Sequence, residues 1–224
     1  MAQPLFDAHA LPINSVAGES ALAHERLQPD WLRQRFAIPP VWTPELNPEP
    51  RFNQRPITHA AVLVPIVVQA DGSPDLHILL TQRTAHLNDH AGQISFPGGR
   101  SEPDDGSAVE TALREAYEEV GLHRRHVDVI GTLPEYLTGT GYLVTPVVAL
   151  VHAPFELQAD PNEVAAIFQV PLAFLMDGNN HQRRQFMMAN EGHARTFYTM
   201  PYQDFFIWGA TAGMLRNLFH FLRA

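Results

Sequence analysis

The chain has 224 residues, 45% of them hydrophobic, and carries 15 basic against 24 acidic residues for a formal net charge of −9; every basic residue is arginine. A chain of this length buries roughly 70% of its unfolded surface, enough for one compact domain with an appendage, and the acidic balance disfavours sequence-independent nucleic-acid binding. The absence of cysteine excludes a thiol nucleophile, a thiolate zinc site and a disulfide framework, so any chemistry falls to oxygen and nitrogen groups.

Residues 1–54 are rich in proline and read as an N-terminal extension, partly helical, with one helix-like stretch, ESALAHERLQPDWLRQRF, interrupted at Pro29. The first residues hold neither a basic leader nor a long apolar core. The longest apolar run, AAVLVPIVV at 60–68, is far shorter than the ~20 residues that span a bilayer. A cytoplasmic protein without membrane partners is expected.

From Thr58 the texture changes. THAAVLVPIVVQ and LHILLTQR are β-rich runs separated by the turn formers of ADGSPD, which predicts a hairpin. GQISF is a further strand running into Pro97-Gly98-Gly99. A helix follows, then HVDVIGTL and YLVTPVVALVHA as two more strands joined through TGTG. NEVAAIFQVPLAFLM mixes a strand with a short helix, and FFIWGATAGMLRNLFHFL has the apolar density of a buried C-terminal helix. Strands on either side of a central helix predict an α/β fold, a mixed sheet with helices on both faces.

The central helix is the best defined. Ser107 followed by Glu110 is a capping-box spacing and Gly121 stands where a left-handed cap belongs, so the helix should span 108–120. At 100° per residue Val109, Ala112, Leu113, Ala116, Tyr117 and Val120 share one side, and Glu115, Glu118 and Glu119 share the other. A solvated acidic face is one reading. Against it, like charges three and four apart cost roughly 0.2–0.5 kcal/mol per pair, and the helix dipole disfavours anions in the last turns by a further ~0.3–1 kcal/mol. Three converging carboxylates would instead suit a hard divalent cation such as Mg²⁺ or Mn²⁺. Just upstream, two glycines without Cβ atoms let backbone approach a ligand closely.

The strand, Gly-Gly turn, loop and acidic helix together resemble the Nudix box, a glycine, five residues, Glu, seven residues, then R-E-U-x-E-E-x-G-U with U aliphatic. Arg114 to Leu122, REAYEEVGL, fits the second half at every specified position. The first half departs: Gly99 is one residue too far from Arg114, and Glu102, Asp104 and Asp105 compete for the early acidic position. LLTQRTAHLNDHAGQISFPGG, residues 79–99, is also similar to the signature preceding the box in coenzyme A pyrophosphatases, with Leu79, Leu80, Thr81, Arg83, Gly92, Phe96, Pro97, Gly98 and Gly99 matching. Asn88 replaces that signature's second arginine and Thr84 a small residue. The likeness extends through DPNEVAAIFQVPLAFL and IWGATAGML, to about residue 218.

The resemblance implies a Nudix-type α/β/α sandwich over residues 55–224 that cleaves a diphosphate, in this subfamily that of coenzyme A or a derivative, with ADP-ribose or another nucleoside diphosphate derivative as the alternative. It implies Mg²⁺ or Mn²⁺ held by Glu115 and Glu119, with Glu118 assisting and the Gly99 carbonyl contributing. Arg114 would orient a neighbouring glutamate. Arg83 would hold phosphate or else pair with an acid on the sheet. Gly98, Gly99 and Arg100 would approach the substrate, and Glu163 would be a late-loop general base or else the cap of the next short helix. Arg55, Arg100, Arg124 and Arg125 are available to compensate for Asn88. A non-catalytic nucleotide-binding module would usually have lost one of the acidic ligands, and all are present. A homodimer is left open. Of the 12 histidines, His86, His90, His123 and His126 lie near the box without a metal-ligand spacing and read as surface residues.

Overall fold

The structure is a computed structural model that describes residues 7–45, 56–85, 92–187 and 194–224. Arg55, His86, Asn88 and His90 lie outside the described residues. The first elements are short: β1 (Ile13–Val16), a 3-10 turn at His24–Leu27, and α1 (Pro29–Ala37). Pro29 occupies the first helical turn, where no N–H is needed, so it starts α1 instead of interrupting a longer helix.

A hairpin-like pair follows, β2 (Thr58–Val68) and β3 (His77–Arg83), then β4 (Ile94–Ser95), β5 (Gly98–Arg100) and helix α2 (Ala108–Val120). After a 3-10 turn at Arg124–His126 come β6 (Val127–Thr132), β7 (Tyr136–Leu137), β8 (Tyr142–His152), β9 (Val164–Pro171) and the single-turn helix α3 (Leu172–Leu175). The chain ends with β10 (Gln182–Met187), β11 (Ala194–Tyr202), β12 (Phe205–Trp208) and α4 (Gly209–Arg223).

The larger sheet has the order β4-β3-β2-β8-β6, with β5 and β7 added on β2 and β8 and β9 on β3. It is mixed: β2 and β8 run parallel from Thr58↔Tyr142 to Val68↔His152, and the remaining pairs are antiparallel. Alternate residues of β2 enter different cores. Ala61, Leu63 and Val67 meet Ala112, Leu113, Ala116 and Val120 of α2, whereas Val64 and Ile66 share a core with Leu32 of α1 and Leu215, Leu218 and Phe219 of α4. Burial on both faces explains why β2 reads as an unbroken apolar run, and each fully buried aliphatic side chain there contributes roughly 1.5–3 kcal/mol.

A second, antiparallel sheet, β1-β10-β11-β12, was not legible as such. Phe205–Trp208, expected to open the last helix, is its edge strand, and α4 begins only at Gly209, whose φ of +62° turns the chain into the helix. N-terminal and C-terminal segments are fastened together. Arg216 of α4, 2% exposed, donates from Nε to Glu45 Oε2 at 3.0 Å and from Nη1 to Glu19 Oε2 at 3.0 Å, and it lies against the buried His181 ring. Arg184 donates to the carbonyls of His9 and Leu11, and Arg26 and Arg35 to that of Leu222. Among the described residues no helix is long and apolar enough to cross a membrane.

Candidate active site

Helix α2 is set by its two ends. Ser107 Oγ accepts from the Glu110 N–H at 3.2 Å, and Gly121, at φ +70°, donates to the Tyr117 carbonyl at 2.9 Å. Between these caps Ala112, Leu113, Ala116 and Val120 pack on the sheet; Tyr117, expected on that side, is at the edge of the apolar arc and 57% exposed, and the glutamates fan around the rim, unequally exposed. Glu118 is 56% exposed at its side chain and Glu115 16%, while Glu119 is 3% exposed. The expected open acidic face is therefore corrected at Glu119, which the turn before β5 covers.

That cover is specific. The Gly98 N–H donates to Glu119 Oε2 at 3.1 Å, and Arg83 Nη1 lies 3.4 Å from Oε1. Burial pushes the Glu119 carboxyl up to about 7, the Gly98 bond and Arg83 opposing the rise and the Glu115 and Glu163 charges adding to it. Glu115 is also raised, mainly by burial, with Arg114 opposing. A Cβ on Gly99 would fall inside the Glu115 carboxylate, so a side chain at that position would turn the carboxylate aside.

Arg114 organises the other side. Asp105 takes a two-pronged pairing from it, Nε to Oδ1 at 3.0 Å and Nη2 to Oδ2 at 2.9 Å. Nη1 donates to Glu115 at 2.9 Å and to Glu118 at 3.0 Å, and Nη2 to the Arg100 carbonyl at 3.0 Å. Of the three acids considered for the early position, Asp105 makes this bond, with further donation from Thr111 Oγ1 and the Glu102 N–H. Those hydrogen bonds, Arg114's first, hold Asp105 well below the usual carboxylate range.

Glu115, Glu118, Glu119, Glu163, Arg83, Arg114, Gly98 and Gly99 are thus brought together. Arg83 faces acids: its Nη2 is 3.8 Å from Glu163 Oε2, so it bridges Glu119 and Glu163. Glu163 precedes a strand, β9, and caps no helix. Arg100 enters through its carbonyl, while its guanidinium donates to Tyr142 Oη at 3.0 and 2.7 Å. His123 caps the 3-10 turn at Arg124–His126, and His126 packs near Phe155. The sequence marks neither Thr111 nor Tyr142: Thr111 lies on the glutamate side of its helix, four residues before Glu115, but is a neutral hydroxyl among charges, and Tyr142 lies on a strand far along the chain.

The donor set fits a hard divalent cation: oxygen ligands, two of them largely buried carboxylates, Glu115 and Glu119, whose anionic forms burial disfavours more than their arginine and N–H partners favour them. In the present arrangement Glu115 and Glu118 are turned to Arg114 and Glu119 to Gly98 and Arg83. Among the described residues no three acidic or imidazole groups are arranged to hold a metal ion.

Residues 57–189 match the model of the NUDIX domain. The Uncharacterized Nudix hydrolase NudL of Shigella flexneri serotype 5b is 41% identical over 171 residues, covering 75% of this chain and 86% of that protein. NudL of Escherichia coli K12 (DH10B) gives the same identity and coverage. The crystal structure of RenU, a Nudix hydrolase from M. smegmatis, is 24% identical with a TM-score of 0.43, covering 51% of this chain and 71% of that one. On the domain match and the identity to NudL, the chain belongs to the Nudix hydrolase family.

Proposed function

We propose that this Nudix hydrolase cleaves the diphosphate of coenzyme A or its derivatives, giving 4′-phosphopantetheine, or its acyl form, and adenosine 3′,5′-bisphosphate, with Mg²⁺ or Mn²⁺ as cofactor and the cytoplasm as its location. One observation carries the reading. The segment 79–99, which resembles the coenzyme A pyrophosphatase signature, encloses the buried glutamate from both ends: Arg83 and Gly98 each reach a different oxygen of Glu119.

In this reading Glu115, Glu119, Glu118 and the Gly99 carbonyl hold the cation, which when bound supplies charge neutralisation and Lewis acidity at the diphosphate oxygens. Arg114, anchored by Asp105, orients Glu115 and Glu118. Arg83 offsets negative charge between Glu119 and Glu163, and its remaining N–H groups are donors for a phosphate oxygen. Glu163, half exposed across Arg83 from Glu119, takes the proton of the attacking water.

The test is kcat/KM for CoA, acetyl-CoA, ADP-ribose, NADH and diadenosine tetraphosphate at fixed Mg²⁺. The CoA compounds are expected to lead. Far higher kcat/KM for ADP-ribose than for every CoA compound would overturn the substrate and keep the diphosphatase chemistry.

A further inference from the structure

The stretch IWGATAGML lies beyond the matched domain, which ends at residue 189, and has no part in the chemistry described so far. It forms the end of β12 and the start of α4. Gly209 turns the chain at positive φ, and Gly213 leaves space for the ring of Tyr136, which a Cβ would penetrate. Thr211, between them and 6% exposed, donates from Oγ1 to the carbonyl of Ile94 at 2.9 Å.

Ile94 belongs to β4, only two residues long, which leads directly into Phe96, Pro97 and Gly98. The bonds of this segment are accounted for almost carbonyl by carbonyl. Gln93 accepts from the Arg83 N–H at 2.9 Å, Ser95 from Thr81 Oγ1 at 3.2 Å and Pro97 from the Leu63 N–H at 2.8 Å. The Gly98 N–H then donates to Glu119. Within this ladder the Ile94 carbonyl is met by a side chain from α4, an element 117 positions away in sequence.

We infer that Thr211 is a positioning residue for the diphosphatase site: its hydroxyl fixes the Ile94 carbonyl, and so the turn that holds the Gly98 N–H on Glu119 and the Gly99 backbone beside Glu115. The inference rests on the metal-dependent reading of those carboxylates. Valine has the shape of threonine without the donor, and would leave a buried carbonyl unsatisfied next to a strand too short to hold itself.

The experiment compares Thr211→Val and Thr211→Ser in the full chain, below the unfolding range of both. Amide hydrogen exchange in residues 94–99 should quicken by about tenfold in T211V and return towards wild type in T211S, which restores the hydroxyl. Mn²⁺ affinity, followed by the EPR signal of free Mn²⁺, should weaken by about tenfold in T211V only, and kcat should fall while KM for CoA holds. Unchanged exchange at 94–99, or faster exchange with unchanged Mn²⁺ affinity and kcat, overturns the inference. If T211V fails to fold, Thr211→Cys, which has the shape of the T211S control but only a weak donor, should give values between T211S and a full loss on both readouts, and values equal to T211S would overturn it. A wild-type protein that binds no Mn²⁺ contradicts the metal reading of the site, and the exchange measurement then decides Thr211 by itself.

Discussion

Both oxygens of Asp105 accept from Arg114, at 3.0 and 2.9 Å, and the same guanidinium holds Glu115 and Glu118. Asp105 therefore acts on the carboxylates through an arginine. Asp105→Ala should lower stability by about 1.5–3 kcal/mol in urea unfolding, the range for a charge-assisted hydrogen bond. Activity should fall at least about tenfold, because Glu115 and Glu118 lose a fixed partner. Arg114→Lys should not restore either, since an ammonium cannot make the planar fork. An Asp105→Ala enzyme of wild-type activity would remove Arg114's orienting role.

Glu119 gives a prediction of opposite sign for stability and activity. Its folded pKa is raised to about 7 from 4.5, so in metal-free protein it favours folding while protonated, and that contribution is lost as pH rises from 4.5 through 7. Glu119→Gln keeps the size and an acceptor for the Gly98 N–H but carries no charge. At pH 8 in chelator the variant should be more stable than wild type, by roughly 2 kcal/mol, while losing most activity with metal present. A variant both less stable and fully active would contradict the placement of Glu119 at the chemistry.

The limits of the sequence reading have a physical pattern. Ser107, Gly121 and the apolar spacing between them define α2 locally, so its ends and its acidic side could be read. The burial of Glu119 could not, because it is imposed by the Gly98 turn arriving from a separate strand. The sequence cannot choose between phosphate and a carboxylate partner for Arg83 for the same reason: only the fold brings Glu119 and Glu163 to it. β10 and β11 carry polar and charged residues along a sheet exposed in part, which dilutes the alternation that marks strands, and FFIW is as apolar as the helix that follows it.

Acid should destabilise the metal-free protein chiefly below pH 4.5, because between 6.5 and 4.5 the loss at His181 is opposed by the gain at Glu119. His181 is held down to about 4 from 6.5 by burial, so stability present above 6.5 is lost as pH falls from there towards 4. Glu19 is lowered to about 2 by its bond to Arg216; Glu45 would be raised by burial, but bonds from His220, Tyr198 and Arg216 bring it to about 2. Their contributions are present above 4.5 and lost between 4.5 and 2. Arg216→Met should cost about 1–3 kcal/mol at neutral pH, since the two glutamates it leaves are partly exposed and Glu45 keeps His220 and Tyr198, and should flatten the loss below pH 4.5. A stability profile level from pH 7 to pH 3 would contradict the network.

Asn88, outside the described residues, tests the substrate class. If the arginine of related signatures meets a phosphate, Asn88→Arg should raise kcat/KM for CoA by about tenfold to a hundredfold, and less for dephospho-CoA if the contact is to the 3′-phosphate. Equal gains on both substrates would move the contact to the diphosphate. No gain on either would separate that position from substrate binding.

The most direct measurement is mass spectrometry of the products formed from CoA by wild type with Mg²⁺, by wild type after chelation, and by Glu119→Gln with Mg²⁺. The account predicts 4′-phosphopantetheine and adenosine 3′,5′-bisphosphate in equal amounts from the first, and neither above background from the other two. Full turnover after chelation or by Glu119→Gln, or intact CoA in all three samples, would contradict it.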